Sequence, residues 1–234
     1  MMWGLDPLYL IMSLPALVLA LIASGLTKST FARYSRVRAS SGMTGAEAAR
    51  HLLDAHGLQS VRVEETGGFL GDHYDPMSRT LRLSHDVYAS PSLSAIGVAC
   101  HEAGHALQHA ARYLPLWIRT ALVPVAQLGT MASYIIIPLG FIMGALGLIK
   151  IGIILFSVVV LFSIITLPVE WNASSRAKQL MVTAGIVSPG EAVHAGRVLN
   201  AAFLTYVAAV ISALMTLLYY LLRAGLLGGR SNDD

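Results

Sequence analysis

His101-Glu102-Ala103-Gly104-His105 is an H-E-x-x-H pentapeptide. On an α-helix its two histidines share one face, about 6 Å apart along the axis. Imidazoles placed this way can converge on one zinc ion at ~2.0–2.1 Å. Glu102 follows the first histidine and can face a water that the metal holds. Zinc lowers the pKa of that water, and the carboxylate takes its proton, leaving a nucleophile for a peptide carbonyl. The rival reading of the pentapeptide is two histidines and a glutamate on the polar face of an amphipathic helix. Its flanks, Ile96-Gly97-Val98-Ala99-Cys100 and Ala106-Leu107, are small and apolar, which argues for a packed helix instead. Gly104 costs such a helix roughly 1 kcal/mol, so something other than propensity favours it; close approach of a neighbouring backbone would be one reason.

A catalytic zinc site needs a third protein ligand and an open fourth position. His109 lies about 12 Å along the helix from His101, too far to share the ion, and reads as a polar-face histidine. The metzincin pattern would need glycine and histidine where this chain has Gln108 and Ala111. Glu170 is the better candidate. It is the only acidic residue between Glu102 and Glu191, and it directly follows a long apolar run, where a carboxylate is costly and tends to be functional. The rival is an interfacial carboxylate paired with Arg176 or Lys178. Arg176 itself falls about 240° round a helix from Glu170, so it is expected to pair with an acid or a lipid phosphate. Cys100 reads as a small buried residue.

Composition names the solvent for these groups. Of 234 residues, 55% are hydrophobic and 12% charged, against about 25% charged in a soluble domain. A net charge of +3 is too weak a field for a nucleic-acid partner. One cysteine excludes an intrachain disulfide framework. Charges vanish from residues 7–27, 120–149, 151–169 and 198–222. Each stretch reaches the ~18 residues of a spanning helix, with a tight turn expected around Gly144–Gly152. The fold class is therefore mostly α: four transmembrane helices and a small α+β cytoplasmic region.

Lys28, Arg33, Arg36 and Arg38 follow the first span. By the positive-inside rule they are cytoplasmic, and a cleaved signal peptide would carry its charge on the other flank. Residues 28–119 and 170–197 then lie inside, and the tail 223–234 outside. Two spans separate residues 101–105 from Glu170, so both face one side.

Residues 28–119 carry readable local signals. Thr44 to Glu47 fits a capping box, with a helix to about His56. Val61–Glu64 alternates like a strand. Phe69–Tyr74 and Thr80–Leu83 flank a turn at Asp75-Pro76-Met77-Ser78. Ser90-Pro91 reads as the start of the zinc-motif helix, about 91–112. Ser188-Pro189-Gly190-Glu191 repeats that logic before the last span. Asp72-His73-Tyr74-Asp75-Pro76 concentrates ionisable groups: His73 or Tyr74 could polarise a substrate carbonyl, or Asp75 and Pro76 could simply set the bend.

Ser41–Glu47, Asp72–Pro76, Leu81–Ser84, His101–Gln108 and Pro168–Ala177 together resemble the bacterial neutral zinc metallopeptidases called YugP-like membrane proteins. The likeness covers nearly the whole chain. It implies a zinc peptidase of the gluzincin type, like HtpX and the CAAX-processing proteases. His101, His105 and Glu170 would hold one zinc ion, and Glu102 would be the base. The family usually has aspartate where this chain has Asn172. HtpX-like relatives have aspartate where it has Ser174, so Ser174 or a water would orient a ligand histidine.

The leading expectation is an endopeptidase of the bacterial inner membrane, cleaving membrane-associated or unfolded polypeptides on the cytoplasmic side. The rivals are a zinc-stabilised scaffold or adaptor without catalysis, and a site-2-type intramembrane protease. Reporter fusions test the topology: a cytoplasmic signal is expected after Arg38 and an external one after Asp234, and a cytoplasmic signal at Asp234 contradicts it.

Overall fold

The computed structural model describes residues 6–67 and 71–227. Phe69 and Leu70 of the expected strand, and Arg230, Asp233 and Asp234 of the expected tail, lie outside the described residues.

The chain is mostly helical. Seven helices and three strands are described: α1 (Pro7–Tyr34), α2 (Gly45–Ala55), β1 (Arg62–Thr66), β2 (His73–Asp75), β3 (Thr80–Ser84), α3 (His85–Tyr88), α4 (Leu93–Ala110), α5 (Leu114–Ile142), α6 (Leu146–Thr183) and α7 (Pro189–Arg223). Among the described residues, α1, α5, α6 and α7 are long and apolar enough to cross a membrane. Their outward side chains include Ile11, Leu21, Leu128, Ile142 and Ile154, a surface that suits lipid better than water.

Contacts divide the chain into two compact units. One comprises Met1–Ile22, Ile118–Leu167 and Tyr206–Asp234. Its buried cluster includes Ile137, Ile153, Phe156 and Tyr219. Here α5 turns into α6 at Met143–Ala145, where Gly144 adopts φ +63; Lys150 lies inside α6. Gly140 lets the two helices close, since a Cβ there would sit 2.9 Å from the Ile149 nitrogen.

The other unit comprises Ala23–Trp117 and Pro168–Thr205. Its core joins Leu52 and Leu53 of α2, Leu81 and Leu83 of β3, Ile96 and Ala99 of α4, and Met181 of α6. The sheet order is β1-β3-β2, with β1 parallel and β2 antiparallel to β3. The Thr44–Glu47 capping box is present at α2, and Ser188 and Glu191 exchange bonds at the start of α7. Asp75 makes the β2–β3 turn, accepting from the Met77 N–H at 2.9 Å and the Ser78 hydroxyl at 2.6 Å. Chiefly through that hydroxyl, its pKa is held down at about 2.

The start of α4 differs from expectation. The cap of α4 is Ser92, not Ser90: its hydroxyl accepts from the Ala95 N–H at 3.3 Å. The backbone explains the shift. The Pro91 carbonyl accepts from Ala39, and the Leu93 N–H donates to Val37, both at 2.9 Å. Pro91 and Ser92 are thereby held extended, Ser92 bridging to Arg38 in the chain after α1, and helix begins only at Leu93. The single turn α3 is a further element that no sequence signal announced.

Candidate metal centre

The pentapeptide occupies the middle of α4, with His101 and His105 on successive turns. Their rings lie 4.8 Å apart and nearly perpendicular, at 83°. Glu170 comes from α6, two residues after Pro168. Gly104 lets the helices meet: a Cβ there would lie 2.8 Å from the Ala173 carbonyl oxygen and 3.3 Å from its Cα. Ala173 is three residues after Glu170, on the same helix face, so the contact that seats Ala173 on α4 also turns Glu170 toward it. The expected backbone approach at Gly104 is thus the α4–α6 crossing.

One oxygen, Oε2 of Glu170, lies 3.2 Å from His101 Nε2 and 3.5 Å from His105 Nε2. One ligand atom from each residue falls within 4.8 Å of the others, a group that could hold a metal ion. Glu170 is 2% and His105 8% exposed. A carboxylate so deeply buried requires a cationic partner. Burial lowers the proton affinity of His105, but Glu170 more than offsets this, so its pKa sits above the ordinary value.

The remaining ring nitrogens are occupied. His101 Nδ1 faces the Ser174 hydroxyl at 3.1 Å. His105 Nδ1 faces Gln108 Oε1 at 3.0 Å. Gln108 is fully buried, and its Nε2 donates to the Val169 carbonyl at 2.8 Å and to Asn172 Oδ1 at 3.0 Å. Its amide oxygen is therefore the acceptor, and His105 donates from Nδ1. A neutral ring in that tautomer presents its Nε2 lone pair to the centre, as a metal ligand requires. Two imidazole nitrogens and a carboxylate oxygen, with supported outer atoms, fit a zinc ion.

Glu102 stands outside this triad. It is 9% exposed, and its Oε2 accepts the backbone N–H of Tyr74 at 3.1 Å. Burial raises its pKa; His101 and His105 oppose the shift, while Glu170 and Asp72 add to it.

Other predicted residues lie as follows. The exposed ring of His73 bonds the Gly71 carbonyl at 2.7 Å. The Tyr74 hydroxyl meets His109 Nδ1 at 2.9 Å. Arg176 donates from Nε to Asn172 Oδ1 at 2.8 Å, joining the Gln108 network; its expected acid or lipid partner is replaced by an amide. Cys100 is buried, and burial pushes its thiol up to about 12. Sequence reasoning missed Gln108, met only as the residue that breaks the metzincin pattern. Its signal was the one-turn spacing from His105. The Tyr74 N–H had no signal, because any residue type supplies it.

Residues 9–225 match the family described as "Putative neutral zinc metallopeptidase". The chain belongs to this family. A relative in Bacillus subtilis (strain 168), named "Putative membrane protease YugP", is 48% identical over 215 residues, 92% of this chain and 96% of its own. No solved structure matches. The ion that a neutral zinc metallopeptidase implies agrees with the donor set.

Gln108→Leu, which removes the acceptor from His105 Nδ1, is expected to weaken zinc binding by about 10–100-fold. Competition with a chromophoric chelator measures this, with circular dichroism checking the fold. Wild-type affinity would show that His105 needs no such support.

Proposed function

We infer that the protein is a membrane zinc endopeptidase acting at the cytoplasmic face of the bacterial inner membrane on membrane-associated or unfolded polypeptides. The observation that carries this reading is the convergence of His101, His105 and Glu170 beside a buried Glu102 that lies outside the triad and is held by the Tyr74 N–H. His101, His105 and Glu170 are the ligands. When bound, the ion supplies Lewis acidity that acidifies water and polarises the scissile carbonyl.

The chain's own residues do the rest. Gln108 fixes the tautomer of His105, and Ser174 steadies His101. Glu102 accepts the proton of the attacking water and delivers it to the departing amine. Its raised pKa suits a group that must both take and return a proton. The Tyr74 N–H holds the Glu102 carboxylate from the strand side. Asn172 and Arg176 act behind Gln108 and touch no ligand directly.

The four long apolar helices and the basic cluster Lys28–Arg38 support the location. A site-2-type reading would set the motif in a spanning helix, and α4 is not among the long apolar helices. A zinc-stabilised scaffold would leave Glu102 buried beside the ion without a purpose.

Zinc-loaded protein in detergent should cleave an unfolded protein substrate. Glu102→Gln is expected to retain zinc and lose about 10²–10⁴-fold in rate, followed by gel-resolved cleavage and metal analysis. Undiminished cleavage would remove Glu102 from the mechanism.

A further inference from the structure

A cavity of about 530 Å³ opens beside the candidate centre, within the same unit. Its lining includes Tyr74, Arg79, Ala106, His109, Arg112 and Trp117. Three features relate it to the zinc-motif helix. First, Ala106 and His109 lie four and seven residues after Glu102, within about 40° of it around the helix. The face that bears the base therefore continues as the cavity wall, from about 6 Å along the axis. Second, Tyr74 joins the two places, its N–H bonded to Glu102 and its hydroxyl to His109. Third, an extended peptide advances about 3.3 Å per residue. A chain held at Glu102 therefore reaches the cavity within about two or three residues.

The charge in the cavity is one-sided. Arg79 and Arg112 bring two guanidinium groups, and no lining residue is acidic. Neither guanidinium has a hydrogen bond or ion pair among the described residues. Both residues hold φ 51, Arg79 after the β2–β3 turn and Arg112 just beyond α4. Burial and the nearby Arg79 charge depress the pKa of His109, so the ring adds a neutral donor or acceptor. Tyr74 and Trp117 supply aromatic walls.

We propose that this cavity is a specificity pocket that takes an acidic side chain of the polypeptide substrate, two or three residues from the scissile bond, between Arg79 and Arg112. The proposal rests on the peptidase reading. An aspartate or glutamate supplies the carboxylate that planar guanidinium groups bind in a fork. Its backbone would run along the α4 face that carries Glu102. A lipid phosphate could also meet two arginines near the start of α5, but the cavity wall follows the catalytic face of α4.

The test uses the full-length, zinc-loaded Glu102→Gln protein in detergent, with fluorescent unstructured peptides identical except that each glutamate is replaced by glutamine. Anisotropy should show the glutamate peptide bound about tenfold more tightly. Arg79→Asn and Arg112→Asn should each shrink that ratio toward one; asparagine tolerates the positive φ of both sites. Arg79→Lys and Arg112→Lys should retain part of it. Equal affinity for the two peptides overturns the proposal. So does an unchanged ratio in both asparagine variants; lost binding of these variants to phosphatidylglycerol vesicles would then assign the arginines to the bilayer. Cleavage by the protein with Glu102 intact is followed in parallel. A persisting ratio without cleavage leaves an acidic-peptide binding site between the two arginines and rejects the peptidase reading; cleavage without a ratio rejects only the pocket.

Discussion

The site depends on one buried carboxylate. Glu170 is almost wholly withdrawn from solvent, and a charge so placed is costly unless a cation and hydrogen bonds meet it. Two imidazoles from a different helix meet it here. They can do so only because α4 and α6 touch at backbone distance, Gly104 against Ala173. A side chain at Gly104 would push the helices apart and leave the carboxylate without its partners. The glycine that weakens α4 as a helix is thus what allows the helix to belong to a site.

Around that contact the chain spends its polar residues in layers. Ser174 and Gln108 take the outer nitrogens of the two imidazoles. Asn172 receives both Gln108 and Arg176, so the arginine acts on the centre through two amides. This order matters for a metal ligand, because the outer hydrogen bond sets which nitrogen faces inward. On the strand side a backbone N–H from β2 fixes Glu102. Glu102 is therefore held from the sheet, and the outer nitrogens of His101 and His105 from Ser174 of α6 and Gln108 of α4.

Much of this was legible in residue types. The pentapeptide spacing, the isolation of Glu170 in a charge-poor stretch and the count of spans between them all pointed to one cluster. The capping boxes at Thr44 and Ser188 mark helix starts because their bonds are local in sequence. Three features were not legible. The cap of α4 moved to Ser92 because a distant segment, residues 37–39, holds the chain before it extended. Gln108 looked like a broken motif, since its value lies in long-range bonds to Val169 and Asn172. The Tyr74 contact uses backbone, which carries no residue signature. Local chemistry is written in the sequence at short spacing; tertiary hydrogen bonds between distant segments are not.

The role proposed for Glu170 is to complete the ligand set of His101 and His105. X-ray absorption spectroscopy of the zinc-loaded protein, beside Glu170→Ala, tests it most directly. The expected result is imidazole nitrogen and carboxylate oxygen around one zinc, no sulfur, and loss of the carboxylate contribution with weakened binding in the variant. An unchanged zinc spectrum and stoichiometry in Glu170→Ala would contradict it.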